Sequence, residues 1–246
     1  MDYSVLYLWA KHDVLREVYV FTSLKRIRKL RHAQSLSRIH SDQDLVVIPC
    51  NPTQPVCSSC CSGEPPFCFF YEMLFTRLNF RLPLTAFEKE VLSAMNVAPA
   101  QLHPNSWAFV RAFYILCCQL NFVPSATMFF YFFEYKPSKR TSWASVSGAK
   151  GRAILTLFQS SYKSFKGRFI KIQKTDQNPD FFEGFPLYWS SNPQSQQTRS
   201  PDNLERNEFN DYKNLDDLGI VFETSILLKL EFQPHDLKVN IGTYFY

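Results

Sequence analysis

The chain has 246 residues, 46 % of them apolar, with 24 phenylalanines and only 7 glycines. That is enough apolar material for one core of ordinary domain size, and too little glycine for a phosphate-cradling or low-complexity design. The formal net charge of +5 is unevenly spread: Lys136 to Lys174 holds ten Lys and Arg and no acid, whereas Asp176 to Glu223 holds ten acids against Arg199, Arg206 and Lys213. A basic block followed by an acidic one is consistent with anion binding, autoinhibition or a soluble dipole.

The first apolar run, Val5 to Ala10, follows Asp2 and precedes the charged segment Lys11 to Glu17. A secretory core needs about 7–15 apolar residues behind a basic cluster, and a membrane span about 20. The expectation is therefore an intracellular protein with no membrane partner. "TSLKRIRKLRHAQSLSRI" spaces Leu24, Ile27 and Leu30 three apart among Lys25, Arg26, Arg28, Lys29 and Arg31, which predicts a basic amphipathic helix. Residues 1–45 thus read as a basic N-terminal arm, able to touch nucleic acid or simply to pack three apolar side chains on a neighbour.

Cysteines number seven, and Cys50, Cys57, Cys60, Cys61 and Cys68 crowd into one stretch. Cys57 and Cys60 have the spacing of a zinc pair, but no second pair follows and the histidine position of a zinc knuckle is Pro65. The reading is a loop of free thiols, with no metal and no cofactor.

"FFYEMLFTRLNFRLPL" predicts an aromatic-rich helix to about Leu78. "LTAFEKEVLSAM" predicts a second, started by a capping box between Thr85 and Glu88, with Phe87, Val91, Leu92 and Met95 on one face. The run "NVAPAQLHPNSWAFVRAF" then ends that helix, because Pro99 and Pro104 disfavour helical geometry in the residues before them. Asn105 or Ser106 is expected to cap the next helix, whose stripe is Trp107, Val110, Tyr114, Cys117 and Cys118. Pro124 breaks it, Ser125 caps again, and "ATMFFYFFEY" predicts a third helix, apolar on nearly every side and therefore central. Beyond Pro137, "SWASVS", "AILTLF", "GRFIKIQK" and "FPLYW" read as short strands. From Ser190 to about Asp217 the chain is polar and reads as a linker. The last segment, from Ile220, is apolar and strand-like.

No catalytic constellation emerges. Between Phe69 and Asn178 the acids are Glu72, Glu88, Glu90, Glu134 and Asp176, two of them at one helix start; carboxylate-type phosphoryl transfer needs acids converging on metal ions. Phosphate-loop, G-x-S-x-G and H-E-x-x-H motifs are absent. The best functional patch is "SSYKSFKGRFIKIQK". There Tyr162, Phe165 and Phe169 alternate with Lys163, Lys166, Arg168, Lys171 and Lys174. Cations that meet phosphates and rings that stack on bases are the ingredients of single-strand binding. The competing reading is a half-exposed strand whose rings fill the core. The candidate nucleic-acid-binding residues are Tyr162, Lys163, Phe165, Lys166, Arg168 and Lys171.

Taken together, "FRLPLTAFEKEVLSAMNVAPAQLHPNSWAFVRAFYILC", "FFYFFE", "SSYKSFKGRF" and "FPLYW" closely resemble the plant gypsy-type transposon domain family, a retroelement-associated group often labelled transposases. The resemblance covers about Val46 to Asn192 and implies a gag-region or accessory protein of a retroelement. The family offers no established catalytic residues to carry over. Where its members continue into a long charged coiled coil, this sequence has a polar linker.

The expectation is an α+β protein: a helical first half packed on a small sheet, with flexible N- and C-terminal extensions. Its parts are an arm at 1–45, the transposon domain at 46–192, and a linker and tail at 193–246. The expected role is non-enzymatic, in self-assembly or in RNA or DNA binding. An element-encoded DNA-processing factor and a non-functional relic are the alternatives.

Overall fold

The computed structural model describes residues 9–15, 19–33, 36, 45–136, 143–158, 165–175, 179–194 and 206–229. In chain order these residues form α1 (His12–Leu15), α2 (Leu24–Ala33), β1 (Val46–Ile48), β2 (Phe67–Tyr71), α3 (Glu72–Thr76), α4 (Ala86–Met95) and α5 (Pro104–Gln119). There follow α6 (Ala126–Phe132), β3 (Phe133–Lys136), β4 (Ser145–Gly148), β5 (Phe169–Gln173), a 3-10 turn (Pro179–Phe182), α7 (Arg206–Asp217) and α8 (Thr224–Leu227). The fold is α+β, but helices and strands interleave instead of running helices first.

Strand β5 is the centre of an antiparallel sheet ordered β1–β5–β2, with Val47 opposite Ile172 and Phe69 opposite Lys171. All five residues of β2 are buried. The aromatic-rich helix expected from Phe69 is therefore corrected: Phe67–Tyr71 is a strand, and only Glu72–Thr76 is helical. A short run that is apolar at every residue carries neither period, so pairing with β5, far downstream, decides its conformation.

The helical layer follows local signals more closely. Thr85 Oγ1 accepts from the Glu88 amide (3.2 Å) and the Glu88 carboxylate accepts from the Thr85 amide (2.8 Å), so the capping box forms as expected and α4 buries Phe87, Val91, Leu92 and Met95. The helix ends on Asn96 in the left-handed conformation (φ 51°), a geometry that Asn tolerates better than most residues. Ser125 caps α6 through the Met128 amide. Helix α6 stops at Phe132, and the remaining "FFEY" turns into β3, paired with β4 from Phe133↔Gly148 to Lys136↔Ser145. At Gly148 a Cβ would lie 2.7 Å from that of Ala153, so the strand end closes on a residue without a side chain. The core between these elements is aromatic, with Phe129 stacked on Phe133 at 4.5 Å and Phe113 edge-on to Phe129 at 5.4 Å.

Several expected strands and one expected linker are also corrected. "AILTLF" contributes a single bridge, Leu155 to Phe222, and "FPLYW" is irregular. Residues 206–217 form α7, because Leu215 is buried and the Tyr212 ring meets Tyr131 at 4.3 Å. Polar composition hid these two anchors. Thr224–Leu227 is a helical turn where a strand was expected. Residues 195–205 of the expected linker and 230–246 of the expected apolar end lie outside the described residues. In the N-terminal arm, α2 forms as expected and buries Ile27 and Leu30, but Leu24 remains 53 % exposed.

The run 96–113 is a hub of buried polar contacts. Its helix α5 is capped by His103, whose Nδ1 accepts from the Asn105 amide, with Pro104 at the first helical position; the expected cap at Asn105 or Ser106 is corrected. Proline fits there because its missing N–H would have no helical partner. Ser106 Oγ is instead buried and accepts from the Val146 amide at 2.9 Å. Trp107 Nε1 donates to the Pro99 carbonyl (2.9 Å). Tyr71 Oη donates to the Ala100 carbonyl while accepting from Trp143 Nε1. Gln101, buried, donates to the Ser190 carbonyl (2.7 Å) and accepts from the Ser190 amide (2.8 Å).

Tyr71 is fully buried, so Tyr71→Phe keeps the ring contacts but orphans a buried N–H and a buried carbonyl. A loss of about 2–4 kcal/mol is expected, measured as a shift of the urea unfolding midpoint at unchanged slope.

Candidate nucleic-acid interface

Cations drawn from segments far apart in sequence converge beside the three-stranded sheet. The stretch before α2 is tied to the approach to β5, with the Val20 amide donating to the Gly167 carbonyl and the Glu72 amide to the Arg168 carbonyl, both at 2.9 Å. These bonds set α2 alongside Arg168 and leave a groove of about 380 Å³ between them. Its charged lining is Arg26, Lys29, Arg168 and Glu72, and its floor is Val20, Phe21 and Leu30. Arg168 holds Glu72 in a two-pronged pair, one prong at 2.8 Å, which keeps its guanidinium pKa raised. Its guanidinium also lies 5.8 Å from the Phe21 ring centroid. Arg26 is oriented by donation to the Val20 carbonyl at 2.5 Å, and Lys29 is exposed.

The expected patch is divided by the fold. Tyr162 and Lys163 lie outside the described residues. Phe165 is buried, edge-on to Tyr71 (5.3 Å), Trp143 (5.7 Å) and His103 (5.4 Å), so its ring offers no face to a base. Lys166 places its ammonium 4.8 Å from the Trp143 centroid. Lys171 is only 9 % exposed; its ammonium sits 3.7 Å above the Phe67 ring and donates to Gln54 (3.3 Å). Burial lowers its pKa. Of the four that are described, Arg168 lines the groove, together with two cations of α2. Sequence reading noted the basic character of α2 but had no means of placing it beside Arg168, and it did not single out Glu72 or Phe21.

The acids do not converge. Glu72 is held by Arg168 and Glu134 by Lys136. Glu88 serves its capping box 3.9 Å from Arg111, and Glu90 accepts from the Ala126 amide at 3.4 Å. Asp176 lies outside the described residues. Among the described residues no group of three or more His, Cys, Asp or Glu is placed to hold a metal ion. The seven cysteines are free thiols. Burial pushes the Cys50 and Cys57 thiols up to about 12, so both stay protonated at neutral pH.

Residues 69–137 match a protein family described as "Putative gypsy type transposon". The match runs from within β2 to just past the end of β3 and includes the hub loop, so this part of the chain is similar to a gypsy-type transposon domain. No curated protein and no solved structure matches the chain. No helix among the described residues is long and apolar enough to cross a membrane.

His103 links the hub to pH. Desolvation lowers its pKa from 6.5 to about 4, and the cap contact uses its unprotonated Nδ1. Between about pH 6.5 and 4 the unfolded chain binds the proton that the folded chain refuses, so stability falls as pH falls through that window. His103→Asn keeps a capping acceptor without this titration. Urea midpoints followed from pH 7.5 to 4.5 are expected to fall more steeply for the parent chain than for the variant.

Proposed function

We propose that this chain is a non-enzymatic, gag-like component of a plant retroelement that acts inside the cell and holds nucleic acid by its phosphate backbone. The single observation that supports this reading is the groove, where Arg26, Lys29 and Arg168 meet over an apolar floor. Three cations against one carboxylate leave the groove net positive. Phosphate oxygens are the anions that arginine forks and ammonium groups fit best among macromolecular ligands. The nearby rings of Phe21 and Phe165 are buried, so stacking on bases is not the main source of affinity. Contacts to phosphate orient and hold a nucleic acid without reading its sequence. The transposon domain at 69–137 supplies Glu72 and Thr76 to the groove wall, which ties the surface to the part of the chain that carries the family match.

The test is a salt titration of the full chain against fluorescent single-stranded RNA and duplex DNA. Replacing Arg26 and Lys29 together by Gln is expected to lower the slope of log K against log salt by about 1.4–1.8, two phosphate contacts' worth. The same change at exposed Lys150 and Lys229 is expected to leave the slope in place. A double variant that binds with the parent's slope would show that the groove is not the interface.

A further inference from the structure

Among the described residues, six of the nine exposed large apolar side chains are Leu157 and residues between Phe209 and Ile226. Phe209 is 39 % exposed, Leu218 36 %, Ile220 36 %, Val221 53 %, Ile226 37 % and Leu157 55 %. They are carried by α7, by α8 and by the segment around Leu155, of which the last two are joined directly. The Phe222 amide donates to the Ile154 carbonyl (2.8 Å), the Thr156 amide to the Phe222 carbonyl (2.9 Å), and the buried Thr224 hydroxyl to the Thr156 carbonyl (2.5 Å). An exposed apolar patch of this kind with a polar rim marks a protein contact surface. The same stretch carries an excess of acids: residues 206–229 hold five acids against three basic residues, with Asp216, Asp217 and Glu223 exposed and Lys213 and Lys229 exposed among them.

The complementary chemistry stands elsewhere on the same molecule. Helix α2 holds five basic residues and no acid. Leu24 and Arg28 are four apart and therefore share a strip, both exposed. On a helical wheel this strip lies on the side of α2 away from Arg26 and Lys29, which face the groove. An apolar side chain beside a cation matches an apolar patch beside carboxylates. Two flanks placed face to face would instead oppose Asp216, Asp217 and Glu223 to their own copies, and like-charge contacts of that kind are disfavoured.

We infer that the acid-rich flank of α7 and α8 receives the Leu24–Arg28 strip of a second copy of this chain, joining copies head to tail. The contact is heterologous, so a pair of copies still has one free strip and one free flank, and the assembly is open-ended unless its rotation closes a ring. It uses neither Arg26, Lys29 nor Arg168, and is therefore independent of nucleic-acid binding in the groove.

Mixing two charge-reversed variants of the full chain tests this by sedimentation velocity over a range of concentrations. The parent is expected to grow beyond a dimer as concentration rises and to fall apart at high salt. Arg28→Glu, which spoils the strip, and Asp216→Lys with Asp217→Lys, which spoils the flank, are each expected to weaken association by about tenfold or more. Mixed together, the two variants retain one intact strip and one intact flank. They are expected to associate with each other where neither associates with itself, because one contact is the parental one and the other has its charges swapped. A parent that stays monomeric up to millimolar concentration, a dimer indifferent to both variants, or a mixture no more associated than its components would each overturn the inference.

Discussion

Backbone amides and carbonyls that leave the water must find partners, and in this protein the constraint is most severe at residues 96–103. That loop has no regular structure over most of its length, yet Val97 to Leu102 are buried. Buried loops are uncommon because their polar groups are hard to satisfy. Here the solution is drawn from every quarter of the fold: Trp107 from the following helix, Tyr71 from β2, Trp143 from the approach to β4, and Ser190 from beyond β5. The His103 amide and the Ala144 amide complete the arrangement by donating to the Ala144 and Gln101 carbonyls. Because one loop is the meeting point, the sheet and the helical layer cannot move independently of it. The residues of the run are therefore fixed by what they bond to.

With the interior occupied in this way, function is left to the surface, where charge is cheap to display and its placement matters. The basic block of the sequence is not one surface. Lys171 is withdrawn onto the Phe67 ring, Lys166 leans on Trp143, and Arg168 faces α2. The acidic stretch likewise lies among exposed apolar side chains on α7 and α8. The phosphate binding and the copy-to-copy contact proposed here would fall on different elements, so an assembled chain would present many grooves along its length. Weak sites repeated in this way bind a long polyanion by effective concentration, with no single tight contact needed.

Local signals were legible from sequence wherever the deciding interaction is local. The Thr85–Glu88 box, the Ser125 cap and the buried face of α4 form as the spacing indicates, because a cap is settled within one helical turn. The cap of α5 was misplaced by two or three residues, since a histidine acceptor followed by proline is a less frequent solution than Asn or Ser. Phe69–Tyr71 and Phe133–Tyr135 were read as helical because unbroken aromatic runs have no period; their extended form depends on β5 and β4. Helix α7 was read as a linker because its two packing residues, Tyr212 and Leu215, are outnumbered by polar ones.

What the sequence by itself determined is the α+β class, the starts of α4 and α6, the excess of positive charge near β5 and the resemblance carried through about Val46 to Asn192 by its ordered aromatic blocks. These depend on composition and on contacts a few residues apart. Only the tertiary structure decided that α2 lies beside Arg168 to make a groove, that Phe165 and Lys171 are withdrawn from the surface, and that the exposed apolar residues gather beside acids. Each of those outcomes rests on hydrogen bonds or ring contacts between residues distant in the chain, as between Val20 and Gly167 or Phe222 and Ile154, and no local pattern encodes such a pairing.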